Sequence, residues 1–63
     1  MAFSDNLKAA RLHAELTQPQ LAALSGVDQG TISRLEAGLF SPQLATLRRL
    51  ARALRISLDN LVG

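Results

Sequence analysis

The segment LTQPQLAALSGVDQGTISRLEAG, residues 16–38, contains two short helical patterns on either side of a single glycine. In the first pattern, Thr17 and Gln20 have the T-x-x-Q spacing of a capping box. Pro19 falls in the first turn, where its missing N–H is tolerated. These features predict a helix over about residues 18 to 25.

The second pattern begins after a very short connection. Gly26 can adopt the left-handed conformation that ends a helix, and Asp28 is a suitable N-cap for the next one. Ile32 and Leu35 then supply apolar side chains at helical spacing. A second helix is therefore predicted over about residues 29 to 37, joined to the first by a tight turn.

The rest of the chain also has helical patterns, and the scarcity of β-branched residues argues against strands. Ser4 is the expected N-cap of a first helix over about residues 5 to 14. Ser57 is the expected cap of a short final helix. The strongest amphipathic pattern lies between them, over about residues 43 to 54, and its apolar face comprises Leu44, Leu47, Leu50, Ala51 and Leu54. The predicted class is all-α.

At 63 residues the chain is expected to form one domain, residues 1 to 63, that buries only roughly 60% of its unfolded surface. It contains no cysteine, so helix packing has to stabilise it without disulfides or thiolate metal sites. No apolar run is long enough to span a membrane, and the first residues lack an export-signal pattern. We therefore expect a soluble, cytoplasmic protein.

The charge balance favours a polyanionic partner. The chain has seven Lys and Arg residues and five Asp and Glu residues, which gives a formal net charge of +2 and a sequence pI near 10.6. Four of the basic residues belong to the C-terminal third of the chain: Arg48, Arg49, Arg52 and Arg55. They are most simply the solvated face of their helix, and a direct role in binding DNA is the less favoured interpretation.

Two short helices joined by a glycine turn form a helix-turn-helix, whose second helix can lie in the major groove of DNA. Such a recognition helix needs one dry face and one wet face. Ile32 and Leu35 can form the dry face. The wet face can present side chains able to hydrogen-bond base edges: Gln29, Thr31, Ser33 and Arg34.

The sequence resembles the Cro and phage-repressor-like family of helix-turn-helix DNA-binding proteins, the XRE-type regulators. The resemblance covers nearly the whole chain and implies a compact five-helix domain. The matching residues are Leu7, Arg11, LTQ at 16–18, LA at 21–22, GV at 26–27, IS at 32–33, Glu36, Gly38, Pro42, TL at 46–47, LA at 50–51, AL at 53–54 and Leu61.

The resemblance implies three principal DNA contacts. Gln18, at the start of the first motif helix, would bind a phosphate. Gln29 would read a base, since a glutamine amide can pair with adenine N6 and N7. Arg34 would reach guanine O6 and N7 or a phosphate. Each has a simpler alternative: both glutamines also suit helix starts, and Arg34 could be a solvated surface arginine.

The resemblance also assigns the remaining positions of the motif. Thr31 and Ser33 would lie at the edge of the DNA interface. Gly30 stands where the family often has a contacting side chain, so readout there is reduced to backbone approach or lost. Arg11 and Glu36 match an ion pair that would fix the recognition helix to the first helix of the domain, so their implied role is orientation.

Several positions depart from the family pattern. Leu39 and Phe40 follow Gly38, where Lys or Arg often contacts phosphate, so the electrostatic contribution to DNA affinity is expected to be small. Together with Leu12 and Leu24, they suggest an apolar surface awaiting a partner, although Phe40 could instead fold back onto the core. Glu15 stands where the family commonly has glycine.

The sequence favours a transcriptional regulator, of repressor type, that binds a pseudo-palindromic operator in double-stranded DNA as a homodimer. The alternative is a protein-interaction module, such as an antitoxin or scaffold component, that uses the apolar surface of Leu24, Leu39 and Phe40. His13 is the lone histidine and is expected to be exposed, so no metal site or cofactor is predicted. No enzymatic activity is expected either, because so small a helical domain offers little room for a catalytic pocket.

Overall fold

A computed structural model describes residues 2–63, and its regular structure over that range is entirely helical. The predicted all-α, five-helix fold is confirmed, and the helix-turn-helix lies where it was expected. The helices are α1 (Phe3–His13), α2 (Gln18–Ser25), α3 (Gln29–Glu36), α4 (Leu44–Leu54) and α5 (Leu58–Val62).

The capping box at the start of α2 is confirmed. The backbone N–H of Gln20 donates to Thr17 Oγ1 at 3.2 Å, and the backbone N–H of Thr17 donates to Gln20 Oε1 at 2.9 Å. Two backbone donors that the helix itself leaves unpaired are thus satisfied. At the other end, Gly26 adopts φ +74°, and its N–H donates to the carbonyl of Ala22, as a left-handed helix end requires.

Two further caps match their predictions. Asp28 Oδ2 accepts the backbone N–H of Thr31 at 3.2 Å, and Ser57 Oγ accepts the backbone N–H of Asn60 at 3.0 Å. The predicted Ser4 cap is wrong. α1 begins two residues earlier than predicted, after Ala2, with no side-chain cap, and Phe3 in its first turn packs against the core.

The core is built where α2 packs against both α3 and α4, while α1 packs against α3 and α5. Its largest completely buried side chains come from all five helices: Leu7, Leu21, Ile32, Leu35, Leu50 and Leu61. Burying each contributes about 1.5 to 3 kcal/mol relative to exposure. The same packing positions α3, since its two buried side chains belong to this cluster.

The apolar face of α4 is shorter than predicted. Leu50, Ala51 and Leu54 are buried and Leu47 is partly buried, but Leu44 is 53% exposed. Leu44 is the first residue of the helix and lies beyond the edge of the core. Its assignment to the buried face is therefore wrong.

The turn between α1 and α2 contains a residue in an unusual conformation. Glu15 has φ +60°, in the left-handed region where a side chain costs roughly 1 to 2 kcal/mol. Its N–H donates to the carbonyl of Leu12, and the N–H of Leu16 donates to the carbonyl of Arg11. The backbone at this turn thus has the geometry that glycine adopts without strain.

Candidate nucleic-acid interface

The helix α3 has one buried and one exposed face. Ile32 and Leu35 are almost completely buried, whereas Gln29, Ser33 and Arg34 are exposed. Gly30 and Thr31 lie between these faces and are half-buried. The outward face thus presents an amide, a hydroxyl and a guanidinium, which together can donate to and accept hydrogen bonds from base edges and phosphates.

A buried ion pair holds the C-terminal end of α3 against α1. Arg11 Nε donates to Glu36 Oε2 at 2.7 Å, and Arg11 Nη2 donates to Glu36 Oε1 at 3.0 Å. The third guanidinium nitrogen, Nη1, donates to the carbonyl of Leu16 at 2.8 Å. The hydrogen bond to Glu36 raises the pKa of Arg11, against the opposing effect of burial. Two charge-assisted bonds of this geometry fix the orientation of both side chains.

Gln18, the first residue of α2, belongs to the same cluster. Its Nε2 donates to Glu36 Oε1 at 3.3 Å, so its side chain is half-buried and connects the start of α2 to the end of α3. No local sequence pattern predicts this contact, because the two residues are distant along the chain. At the start of α2 the capping box uses the backbone N–H groups of Thr17 and Gln20, and Pro19 has none, so the N–H of Gln18 and the helix dipole are what remain to favour an anion there.

Arg34 is exposed, but its guanidinium has defined neighbours. Its Cζ lies 6.0 Å from the centroid of the Phe40 ring, at the outer limit of a cation–π contact. A Cβ added at Gly30 would lie 3.2 Å from Arg34 Nη1 and 3.0 Å from Asp28 Oδ2. The missing side chain at Gly30 therefore lets the guanidinium lie close to the surface of α3, on the same side as Phe40.

The contact with Phe40 was not predicted. Phe40 was expected either on the apolar surface or folded back onto the core; it is 45% exposed, as the first expectation has it, and its ring also lies near Arg34. Three leucines expected at the surface are exposed as predicted: Leu12, Leu24 and Leu39. His13 is exposed as well, which matches its predicted position at the surface.

None of the helices between residues 2 and 63 has the length and apolar character needed to cross a membrane.

Comparison with known proteins identifies the family. A helix-turn-helix family model matches residues 7–61. The chain is 42% identical over 62 residues to the HTH-type transcriptional repressor RghR of Bacillus subtilis, covering 97% of this chain and 46% of that protein. It is 46% identical over 50 residues to the antitoxin HigA1 of Mycobacterium tuberculosis, covering 79% of this chain and 34% of that protein.

A solved structure agrees with these relatives. The chain superposes with a TM-score of 0.90 on the restriction-modification controller protein C.AhdI from Aeromonas hydrophila, at 34% identity, covering 94% of this chain and 89% of that one. The chain spans less than half the length of RghR and HigA1. The matched segment contains the helix-turn-helix and the ion pair that supports it. The chain therefore belongs to the Cro and phage-repressor-like, XRE-type family of helix-turn-helix DNA-binding proteins.

Proposed function

We propose that residues 1 to 63 act as one DNA-binding domain, which inserts α3 in the major groove and serves a transcriptional regulator of repressor type. The observation that carries this proposal is the two-faced α3, with Ile32 and Leu35 buried beneath exposed Gln29 and Arg34. The similarity to a transcriptional repressor and to a controller protein supports it. Such a regulator acts on DNA in the cytoplasm.

In this proposal each exposed group has a role. Gln29 reads adenine through its amide, and Arg34 reads guanine or binds phosphate. Gln18 binds a phosphate at the N-terminus of α2, while Thr31 and Ser33 contact the edge of the interface. At Gly30 only the backbone approaches the DNA. Arg11 and Glu36 do not touch DNA in this arrangement, and they keep α3 at the angle that the groove requires.

The protein binds as a homodimer on a pseudo-palindromic operator. One domain of this size contacts few base pairs, and single modules bury only about 600 to 1,000 Å² of surface against DNA. Two recognition helices spaced by one turn of duplex, roughly 34 Å, would read two half-sites and raise both affinity and specificity.

Selection of bound duplexes from a random DNA pool tests the proposal, followed by gel shifts on the enriched sequence. We expect two related half-sites about one helical turn apart, with affinity that falls steeply as salt rises. Arg34→Ala should weaken binding by about 1 to 3 kcal/mol and relax the preference at one base pair. The control is Lys8→Ala, which removes an exposed charge from α1. If the Arg34→Ala variant keeps the parent's DNA affinity and base preference, Arg34 does not belong to the interface.

A second function, as a protein-interaction module, is favoured by the exposed apolar side chains. Leu24 is 62% exposed and Leu39 is 70% exposed, and the similarity to an antitoxin is in keeping with a protein partner. Titration of random duplex DNA at increasing salt separates the two functions. A DNA-binding protein has measurable non-specific affinity at low salt, so its absence there would favour the interaction module.

A further inference from the structure

An open groove of about 630 Å³ lies between the C-terminal end of α2 and the length of α4. Leu24 and Ser25 form one side. The α4 side consists of residues at positions i, i+3, i+4, i+7 and i+8, and is extended by the C-cap: Ala45, Arg48, Arg49, Arg52, Ala53 and Arg55. Four of the eight lining residues are arginines and none is acidic. The groove shares no residue with the exposed face of α3.

The groove arginines have no acidic partner within the part of the chain that the structure describes. The ion pair found among residues 2–63 joins Arg11 to Glu36, at a different site. All four groove arginines are exposed. Their backbone positions span about 10 Å along α4 and its C-cap, so their charges repel one another and attract any anion that fits between them. This concentration of positive charge is not needed for the packing of α4, whose buried side chains lie on its other face.

The shape and composition of the groove indicate what kind of anion fits. Leu24 is 62% exposed at its side, and Ala45 and Ala53 leave space near its two ends. A duplex presents only phosphates and sugars at its edge, which would leave Leu24 without an apolar contact. A peptide can place carboxylates on the arginines, where bidentate pairing is favourable, and an apolar side chain on Leu24.

A second copy of this chain is a poor occupant. Glu36 is already paired with Arg11, and the other acidic residues lie on separate elements: Asp5, Glu15, Asp28 and Asp59. No single helix of a second copy therefore presents a row of carboxylates to the four arginines. We propose that the groove between α2 and α4 binds an acidic, amphipathic segment of a partner protein. This site is distinct from the α3 face, so one domain can hold its partner and DNA together.

Fluorescence anisotropy with a labelled amphipathic peptide, carrying a row of glutamates beside a row of leucines, tests the proposal. We expect saturable binding that is lost when the glutamates are replaced by glutamines. Arg52→Gln should weaken binding by about fivefold, the upper range for one exposed ion pair, and Arg48→Gln with Arg52→Gln by tenfold or more. Leu24→Ser should weaken binding by roughly fivefold through loss of apolar contact.

The matched control is Lys8→Gln, which removes one exposed positive charge outside the groove. It should leave peptide affinity nearly unchanged, and thermal melts should show that all variants remain folded. An equal effect of Lys8→Gln and Arg52→Gln would overturn the proposal in favour of general charge attraction. The groove would be assigned to nucleic acid instead if random duplex DNA displaced the peptide and if Arg48→Gln with Arg52→Gln weakened binding of DNA as much as binding of the peptide. Absence of peptide binding would also overturn it.

Discussion

Arg11 on α1 and Glu36 at the end of α3 are 25 positions apart in the chain and meet in a two-point ion pair with side chains 10% and 5% exposed. The carbonyl of Leu16 accepts a hydrogen bond from the remaining guanidinium nitrogen of Arg11, and Gln18 Nε2 donates to the Glu36 carboxylate. Four segments thus meet at this ion pair: α1, the connection to α2, the start of α2 and the end of α3. The orientation of α3 depends on this cluster as well as on its apolar contacts.

Removal of either charge should be severely destabilising. Arg11→Met leaves the Glu36 carboxylate almost buried without its cation, which costs about 3 to 5 kcal/mol, a large part of the stability of so small a domain. Urea unfolding of Arg11→Met, Glu36→Met and the double variant measures the coupling. We expect the double variant to be more stable than the sum of the single effects predicts. If the losses of unfolding free energy in the two single variants simply add up in the double variant, the two charges are solvated independently.

The pKa of Arg11 determines how this contribution depends on pH. Because the hydrogen bond to Glu36 raises that pKa in the folded state, the contribution is fully present below the ordinary pKa of arginine. It is lost only as pH rises through the raised value. Arg11 should therefore cause no change in stability between pH 6 and pH 9, which unfolding curves across that range can check. A change of the unfolding free energy with pH in this range that disappears in Arg11→Met would contradict this expectation.

The capping box at the start of α2 should stabilise the domain measurably. Thr17→Ala removes the hydroxyl that accepts the Gln20 N–H, and such losses typically cost about 1 kcal/mol. In a domain of this size that corresponds to a fall of roughly 4 to 8 °C in Tm. Thr17→Ser keeps the acceptor and should stay near the parent value. Equal falls in both variants would point to lost methyl packing and against the cap.

The left-handed conformation of Glu15 offers a stabilising substitution. Glu15→Gly removes a strain of about 1 to 2 kcal/mol but increases the entropy of the unfolded chain, so a net gain of about 0.5 to 1 kcal/mol is expected. Glu15→Ala is the matched control, because it removes the same carboxylate and keeps the Cβ. Thermal unfolding should rank the glycine variant above the alanine variant. The reverse order would mean that the turn relaxes without strain.

Phe40 should affect DNA binding through Arg34. A cation–π contact at an exposed site contributes about 0.5 to 1 kcal/mol, so Phe40→Ala should weaken operator binding by roughly two- to fivefold. Leu39→Ala, at the exposed neighbouring position, serves as the control. In an Arg34→Ala background, Phe40→Ala should have no further effect. A loss that persists there would assign Phe40 its own contact with DNA or with the second subunit.

Local signals were sufficient to predict most of the fold. The capping pairs at Thr17, Asp28 and Ser57 act within three residues, so their spacing in the sequence specifies them almost completely. Ser4 failed as a cap because α1 begins two residues earlier than predicted, with Phe3 of its first turn packed against the core. Leu44 failed because helical periodicity does not reveal where the core ends.

Less of the candidate site than of the fold could be predicted from the sequence. The outward face of α3 follows from periodicity, and the partnership of Arg11 with Glu36 was implied by family resemblance. The bond from Gln18 to Glu36 and the approach of Phe40 to Arg34 depend on how distant segments meet. No spacing rule encodes such contacts. The groove between α2 and α4 likewise requires the fold, although its arginines are evident in the sequence.

The hydrogen bond between Gln18 and Glu36 has a consequence for any anion that arrives at the N-terminus of α2. A glutamine amide has two N–H groups, and only one is used by Glu36. This hydrogen bond restricts the directions that the second N–H can take before any ligand is present. A glutamine restrained in this way loses less on binding than the about 0.5 to 1.5 kcal/mol of rotamer entropy that an unrestrained side chain would lose.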